Sequence, residues 1–182
     1  QPTVYYGLMY LAKNAKKEVK IHTPYIICND YMYNELKNIK VPTTIMTNSA
    51  ENNGNIFGAV DYLNHKKDII NTGVTIKEYE GGISYHGKSM TIDDDIAIVG
   101  SFNMDMRSAY IDTELMLVIN SKDINKQLKA SMEEYEKKAA TVKNETEYSH
   151  IPEGMKMKEL SDKKKNIKAW FGWAMNGLRF LF

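Results

Sequence analysis

Apolar periodicity along this chain switches repeatedly between the helical and the strand repeat, and that alternation restricts the fold more than any other feature. Val4 to Lys17 repeats at helical spacing, and Val19-Lys20-Ile21 follows as a short strand ending at Pro24. Asp30 can cap the free amides of a second helix running through Tyr31, Met32, Leu36 and Ile39. The β-branched run Thr43 to Met46 predicts a strand, and the polar stretch Asn48 to Asn55 a loop. A long helix then places Ile56, Val60, Leu63, Ile69 and Ile70 on its apolar side and stops at Gly73. Beyond Gly73 come strand patterns at Val74 to Tyr79, Tyr85 to Ile92, Ile96 to Val99 and Thr113 to Ile119, with Asp93, Asp94 and Asp95 suited to a hairpin turn. A helix over 122 to 139 follows, with Ile124, Leu128, Met132 and Tyr135 at helical spacing. Such alternation predicts an α/β fold, a mixed β-sheet sandwiched by helices, and no internal repeat is visible.

Composition narrows the function classes. With 182 residues, 43% of them hydrophobic and 26% charged, the chain can bury a core, which excludes disordered and fibrous classes. The 24 basic residues balance 23 acidic ones, so no broad positive field draws in a nucleic-acid backbone and nucleic acid is not an expected partner. Any phosphate specificity must be local. Cys28 is the one cysteine, which rules out an internal disulfide framework and a cysteine metal cluster, and it is expected to be a buried thiol. No run reaches the roughly 18–20 apolar residues of a membrane span, and Gln1-Pro2 does not open a signal peptide. A chain starting with glutamine is expected to be a fragment or a processed product.

The chemistry is carried by YHGKSMTIDDDIAIVGSFNMDMRS, which begins at Tyr85. Its spacing is His86-x-Lys88, four residues, Asp93, six residues, Gly100-Ser101-x-Asn103. A lone strand histidine is more often structural, but six fixed positions at about one in twenty each match by chance on the order of 10⁻⁸ per start point. On a strand, residues two apart leave the same face, so an imidazole and an ammonium would stand side by side. The buried run Ile96 to Val99 would deliver Ser101 and Asn103 at its end. Imidazole is poised near neutral pH to attack phosphorus or to protonate a leaving oxygen. Lys88, Ser101 and Asn103 are the expected phosphate-binding donors, able to meet the non-bridging oxygens as charge develops, while Gly100 permits close backbone approach. With these fixed donors no metal or other cofactor is expected. Glu114 is a candidate to orient a histidine through its ring nitrogen. Asp93 is divided between a turn residue and a partner of the site, and Arg107 between a phosphate and a neighbouring carboxylate.

These residues resemble the HKD signature of the phospholipase D superfamily, over most of residues 4 to 138. Within it, HTPYIICND, TNSAENN and GSFNMDMRSAYIDTE are similar to the second half of bacterial cardiolipin synthases. The resemblance implies a phospholipase D-like domain and a two-step transfer through a phosphohistidine, one histidine attacking phosphorus while a second protonates the departing alcohol. In-line displacement puts nucleophile and leaving group on opposite sides of phosphorus, so one imidazole cannot serve both. His65-Lys66-Lys67 does not supply a second motif: Thr72 stands where Asp should be, and a solvated helix face is the expected reading. His22 and His150 lack even the lysine. The partner half would come from a preceding domain of the same natural chain or from a second copy in a homodimer, and His86 would be the general acid.

Three function classes therefore stand. The first is a phosphatidyltransferase or phospholipase acting on a phospholipid such as phosphatidylglycerol, at the cytoplasmic face of a membrane, peripheral or anchored through a segment absent from this chain. The second is a dimeric single-motif nuclease, and the third a non-catalytic lipid-binding or assembly module. Residues 1–140 form the expected catalytic half-domain and 141–182 a carboxy-terminal extension. In the latter, Lys163-Lys164-Lys165 precedes Ile167, Trp170, Phe171, Ala174, Leu178 and Leu181 at helical spacing. That pattern suits a helix lying in a membrane interface or one docked on the core or the partner half.

Overall fold

The computed structural model describes residues 2–174, 179 and 181. Its elements are α1 (Thr3–Lys13), β1 (Val19–His22), β2 (Ile26–Ile27), α2 (Asp30–Lys37), β3 (Thr43–Asn48), α3 (Ile56–Ile70), β4 (Thr75–Tyr79), β5 (Ser89–Ile92), β6 (Ile96–Gly100), β7 (Met104–Asp105), α4 (Met106–Tyr110), β8 (Met116–Asn120), α5 (Lys122–Glu136), β9 (Ala139–Val142), β10 (Tyr148–His150) and α6 (Asp162–Ala174). Eight strands form one mixed sheet in the order β10-β9-β4-β3-β1-β5-β6-β8, and β2 pairs with β7 in a separate parallel pair. The β1, β3 and β4 strands run parallel, while β5, β6 and β8 continue antiparallel on one side and β9 and β10 on the other. The expected α/β class, a mixed sheet between helices, is the fold observed.

Strand alternation sorts the two faces. Ile21, Ile45, Ile76, Met90, Ile92 and Ile98 enter one core together with Tyr5, Leu8 and Met9 of α1, Met32 and Leu36 of α2, and Tyr62 and Ile69 of α3. Burying each such aliphatic side chain contributes roughly 1.5–3 kcal/mol. Lys20 and His22 alternate with Ile21 and meet α5, where Glu136 lies 3.2 Å from His22 Nε2 and 2.5 Å from Lys77 Nζ. The second face is thus held by buried charge as well as by Met132.

Several element boundaries differ from the periodicity, each for a local reason. Asn29, not Asp30, caps α2 by accepting a hydrogen bond from Met32 N, and the helix ends at Lys37. The run Tyr85 to Ile92 is a strand only from Ser89, because Asn48 takes both peptide groups of Tyr85 out of the ladder. Residues 113–115 stay outside β8 while Glu114 reaches for two serines. The helix from Lys122 ends at Glu136, and Ala139–Val142 pairs with β4 as a strand. The sheet therefore continues across the division expected at 140, through β9 and β10. Lys66 does not lie on a solvated face: it is 4% exposed and paired with Glu78 at 2.7 Å.

The carboxy-terminal helix docks on the rest of the chain. Lys164 Nζ donates to the carbonyls of Ala50, Glu51 and Asn53 at 2.8, 2.6 and 3.0 Å, and Arg179 pairs with Asp61. Lys163, Lys165, Lys168 and Trp170 are exposed. The side chains of Phe171 and Ala174, and Leu178 altogether, lie outside the described residues. No described helix is long and apolar enough to cross a membrane.

Candidate functional site

The antiparallel register of β5, β6 and β8 sets the motif. Ser89 pairs with Val99 and Gly100 with Met116, so the residue before β5, the residues after β6 and the residues before β8 meet at one end of the sheet. Backbone bonds continue the register outward: Gly100 N donates to Lys88 O at 3.3 Å and Ser101 N to Leu115 O at 3.0 Å. Gly100 has no room for a side chain, since a Cβ there would lie 2.1 Å from Leu115 O. Thus His86, Lys88, Ser101, Asn103 and Glu114 are brought together although they span 29 positions of chain.

Lys88 Nζ stands 2.8 Å from His86 Nδ1 and donates to the His86 carbonyl at 2.9 Å. Burial, and then the adjacent ammonium, lower the His86 pKa below its ordinary value. Burial likewise lowers Lys88, opposed by the carboxylates of Glu114 and Asp105. The second half of the cluster is a relay of hydroxyls. Ser101 Oγ donates to Glu114 Oε2, and Ser108 Oγ donates to Glu114 Oε1 at 2.6 Å. Ser108 Oγ in turn accepts from Asn103 N at 3.2 Å and from Asn103 Nδ2 at 3.3 Å. Both Glu114 oxygens therefore order Ser101 directly and Asn103 through Ser108. Below them, burial raises Asp105 to about 6 while its carboxylate caps α4 through Ser108 N at 2.6 Å.

Support for the His86 loop comes from the stretch 48–54. Asn48 accepts from Tyr85 N at 2.8 Å and donates to Tyr85 O at 2.9 Å. Asn52 holds Gly82 N and Ile83 O, and Gly54 N donates to Ser84 Oγ. Gly87 lets the Tyr85 ring fold beneath the loop, because a Cβ there would lie 2.2 Å from the phenol oxygen. Asn48, Asn52 and Ser108 were not singled out from the sequence. They sit in the TNSAENN and GSFNMDMRSAYIDTE stretches, where nothing local tells one asparagine or serine from the next.

Other candidates lie elsewhere. Asp93 is at the far end of β5, with positive φ (51°), and its carboxylate accepts from the amides of Lys16, Lys17 and Glu18. Those three backbone bonds outweigh the effect of burial and hold its pKa low. Arg107 pairs with the carboxylate of Asp112 at 3.1 Å. Cys28 is fully buried, and burial pushes its thiol far up. Among the described residues no three of His, Cys, Asp and Glu gather as a metal site. An open cleft of about 610 Å³ runs from His86 and Lys88 along Tyr85, Tyr79 and Tyr135 to Lys138.

The family model described as "Cardiolipin synthase, PLD-like domain" matches residues 8–135. Cardiolipin synthase 1 of Staphylococcus epidermidis (strain ATCC 12228) is 31% identical over 157 residues, covering 85% of this chain and 31% of that protein. Cardiolipin synthase of Staphylococcus aureus (strain Mu50) is 32% identical over 127 residues, 68% of this chain and 25% of that one. The chain thus spans under a third of the length of these curated relatives. Among solved structures, phosphatidylserine synthase of Haemophilus influenzae aligns at a TM-score of 0.66 with 16% identity, over 91% of this chain and 41% of that one. The phospholipase D family member Nuc of Salmonella typhimurium aligns at 0.61 with 17% identity, over 75% and 89%. The sheet, the convergent motif and the match over most of the chain agree, and the chain belongs to the phospholipase D-like domain family of the cardiolipin synthases.

Proposed function

We propose that this chain supplies one half of the active site of a phosphatidyltransferase of the cardiolipin synthase and phospholipase D type, acting on a phosphodiester lipid such as phosphatidylglycerol. The observation that carries the reading is the gathering of His86, Lys88, Ser101 and Asn103 at one sheet end, an imidazole beside three donors for phosphate oxygens. A histidine of the partner half attacks phosphorus, the P–O bond to the departing alcohol breaks, and His86 gives that oxygen its proton. In the second step an acceptor alcohol gives its proton to His86 as its oxygen bonds phosphorus, and the P–N bond of the phosphohistidine breaks with its electron pair returning to the partner half's imidazole. Lys88, Ser101 and Asn103 stabilise the charge that develops on the non-bridging oxygens. Asp93 fixes the β5–β6 turn against residues 16–18, and Glu114 sets the donors.

The relatives' greater length favours a preceding domain of the same natural chain as the partner half. A lipid substrate places the site at a membrane surface, in this reading the cytoplasmic face, and the exposed Trp170 with Lys163, Lys165 and Lys168 suits contact with anionic lipid. The test compares the full natural chain with its His86→Ala variant on phosphatidylglycerol vesicles and on single-stranded DNA. Lipid turnover by the wild type, reduced about 10²–10⁴-fold or more in the variant, is the expected result. His86-dependent cleavage of DNA alone would replace this reading with the nuclease, and binding of lipid without turnover would leave an assembly module.

A further inference from the structure

One loop, 48–54, is bonded both to α6 and to the residues ahead of His86. The carbonyls of Ala50, Glu51 and Asn53 accept from Lys164 Nζ, and the Glu51 carboxylate accepts from Ser161 N at 3.0 Å where α6 begins. Between them, other groups of the loop bond elsewhere. Ser49 donates to Glu80, Asn48 takes both peptide groups of Tyr85, Asn52 holds Gly82 and Ile83, and Gly54 N meets Ser84. Peptides gripped by Lys164 thus alternate with side chains that hold residues 80–85, so neither set of bonds can shift without disturbing the other. The opposite side of α6 faces solvent, with Lys163, Lys165, Lys168 and a Trp170 that is 71% exposed. Lys165 lies 3.6 Å from Asp162, while among the described residues Lys163 and Lys168 have no carboxylate partner. Lysines beside an exposed indole complement an anionic bilayer surface, whereas a dissolved polyanion would leave the indole in water. This helix lies outside residues 8–135, the part that matches the family model.

We propose that α6 is a sensor of the anionic bilayer surface, whose binding to lipid secures the His86 loop through loop 48–54. The proposal rests on the reading of His86 as part of a lipid-transferring half-site. Two states are involved, α6 seated with Lys164 among its three carbonyls and α6 released. The seated helix is already ordered with its lysines and indole presented, so the bilayer binds it with little further loss of freedom; a released segment must order first. Lipid therefore raises the population of the seated state, and by linkage the bonds from Asn48 and Asn52 to residues 82–85 are held with it. Away from the bilayer, release of α6 loosens the loop that carries His86. Phosphohistidine chemistry is thereby confined to the surface where the lipid lies.

The experiment follows hydrogen exchange in the full natural chain on phosphatidylcholine vesicles with and without phosphatidic acid, an anionic phosphomonoester that offers no diester to transfer. Phosphatidic acid should slow exchange about fivefold or more in α6, in loop 48–54 and in loop 80–88, the size of one lysine's contact with an anionic surface. Exchange in β3 and β6 should not change. Replacing the exposed Lys163, Lys165 and Lys168 together by Gln should abolish all three effects without touching the Lys164 contacts. In Lys164→Met the two loops should no longer respond. Slowing confined to α6 in the wild type overturns the proposal, because the helix would then touch lipid without informing the site. Faster exchange in loop 80–88 overturns it as well, since the bilayer would be lifting the helix away, and no response in α6 removes the surface itself. None of these readings needs turnover. A chain that responds as expected yet consumes no phosphatidylglycerol overturns the transfer reading and leaves the coupling from α6 to the His86 loop in place.

Discussion

His86 and Lys88 are held close enough that their charges compete, with Nζ 2.8 Å from Nδ1. Burial is the larger cause of the lowered His86 pKa and the ammonium the second. Removing the ammonium while keeping the stem should therefore raise the imidazole pKa. In Lys88→Met the His86 ring-proton NMR titration should move upward toward the unperturbed value of about 6.5. A titration that is unmoved or shifts downward would show that the lysine does not set the imidazole's charge. The isolated chain suffices for this measurement. At this scale the motif residues were legible because their spacing is rigid in sequence. The fate of Asp93 was not, because only the fold shows three backbone amides from residues 16–18 arriving at its carboxylate. Glu114 differs similarly: the sequence suggests a partner for a histidine, whereas the structure gives it Ser101 and Ser108.

At the scale of elements, loop 48–54 is the hinge between the carboxy-terminal helix and the site. On one side Asn48 and Asn52 brace residues 82–85, and on the other Lys164 fills a cage of three carbonyls from residues 50–53. Lys164→Met leaves those acceptors without their charged donor, at a cost of about 2–3 kcal/mol. Hydrogen exchange should speed up in α6, in loop 48–54 and in loop 80–88, while β3 and β6 remain protected. Faster exchange confined to α6 would mean that the helix is not coupled to the site. The helix itself was legible from its apolar repeat, but its two readings, membrane interface or docking, carry the same amphipathic pattern. One lysine among three decides that it docks, and no local rule marks which.

For the whole molecule, the face of the sheet under α5 is closed by ionisable groups, and that makes stability depend on acid. Burial lowers His22, partly offset by its bond to Glu136. The folded state thus binds this proton less readily than the unfolded chain, so stability is complete above about pH 6.5 and declines below it. Burial alone would raise Glu136, but His22, Lys77 and Lys20 outweigh it and bring the carboxyl down to about 2. Its contribution, on the order of 2–3 kcal/mol, is complete above the unfolded value near about 4.3 and is lost as pH falls toward 2. Urea midpoints measured across this range should fall with acid in the wild type. Glu136→Gln should start lower at neutral pH and decline less between about pH 4.3 and 2; parallel curves would show that Glu136 is not the group responsible. The same whole-molecule view bears on activity. With one HKD motif, a proven monomer of the isolated chain should turn over little or no phospholipid, and strong turnover would refute the half-site.

Residue spacing and apolar period, both local properties, were enough to determine from the sequence the α/β class, most elements and the family motif that His86, Lys88, Ser101 and Asn103 carry. Tertiary structure decided what depends on partners far apart in the chain: Asn48 gripping Tyr85, Lys66 buried against Glu78, and a sheet that runs on through β9 and β10 past the expected boundary. A buried polar group takes its role from whichever donor or acceptor the fold delivers to it, and one asparagine or lysine looks like another until that partner arrives.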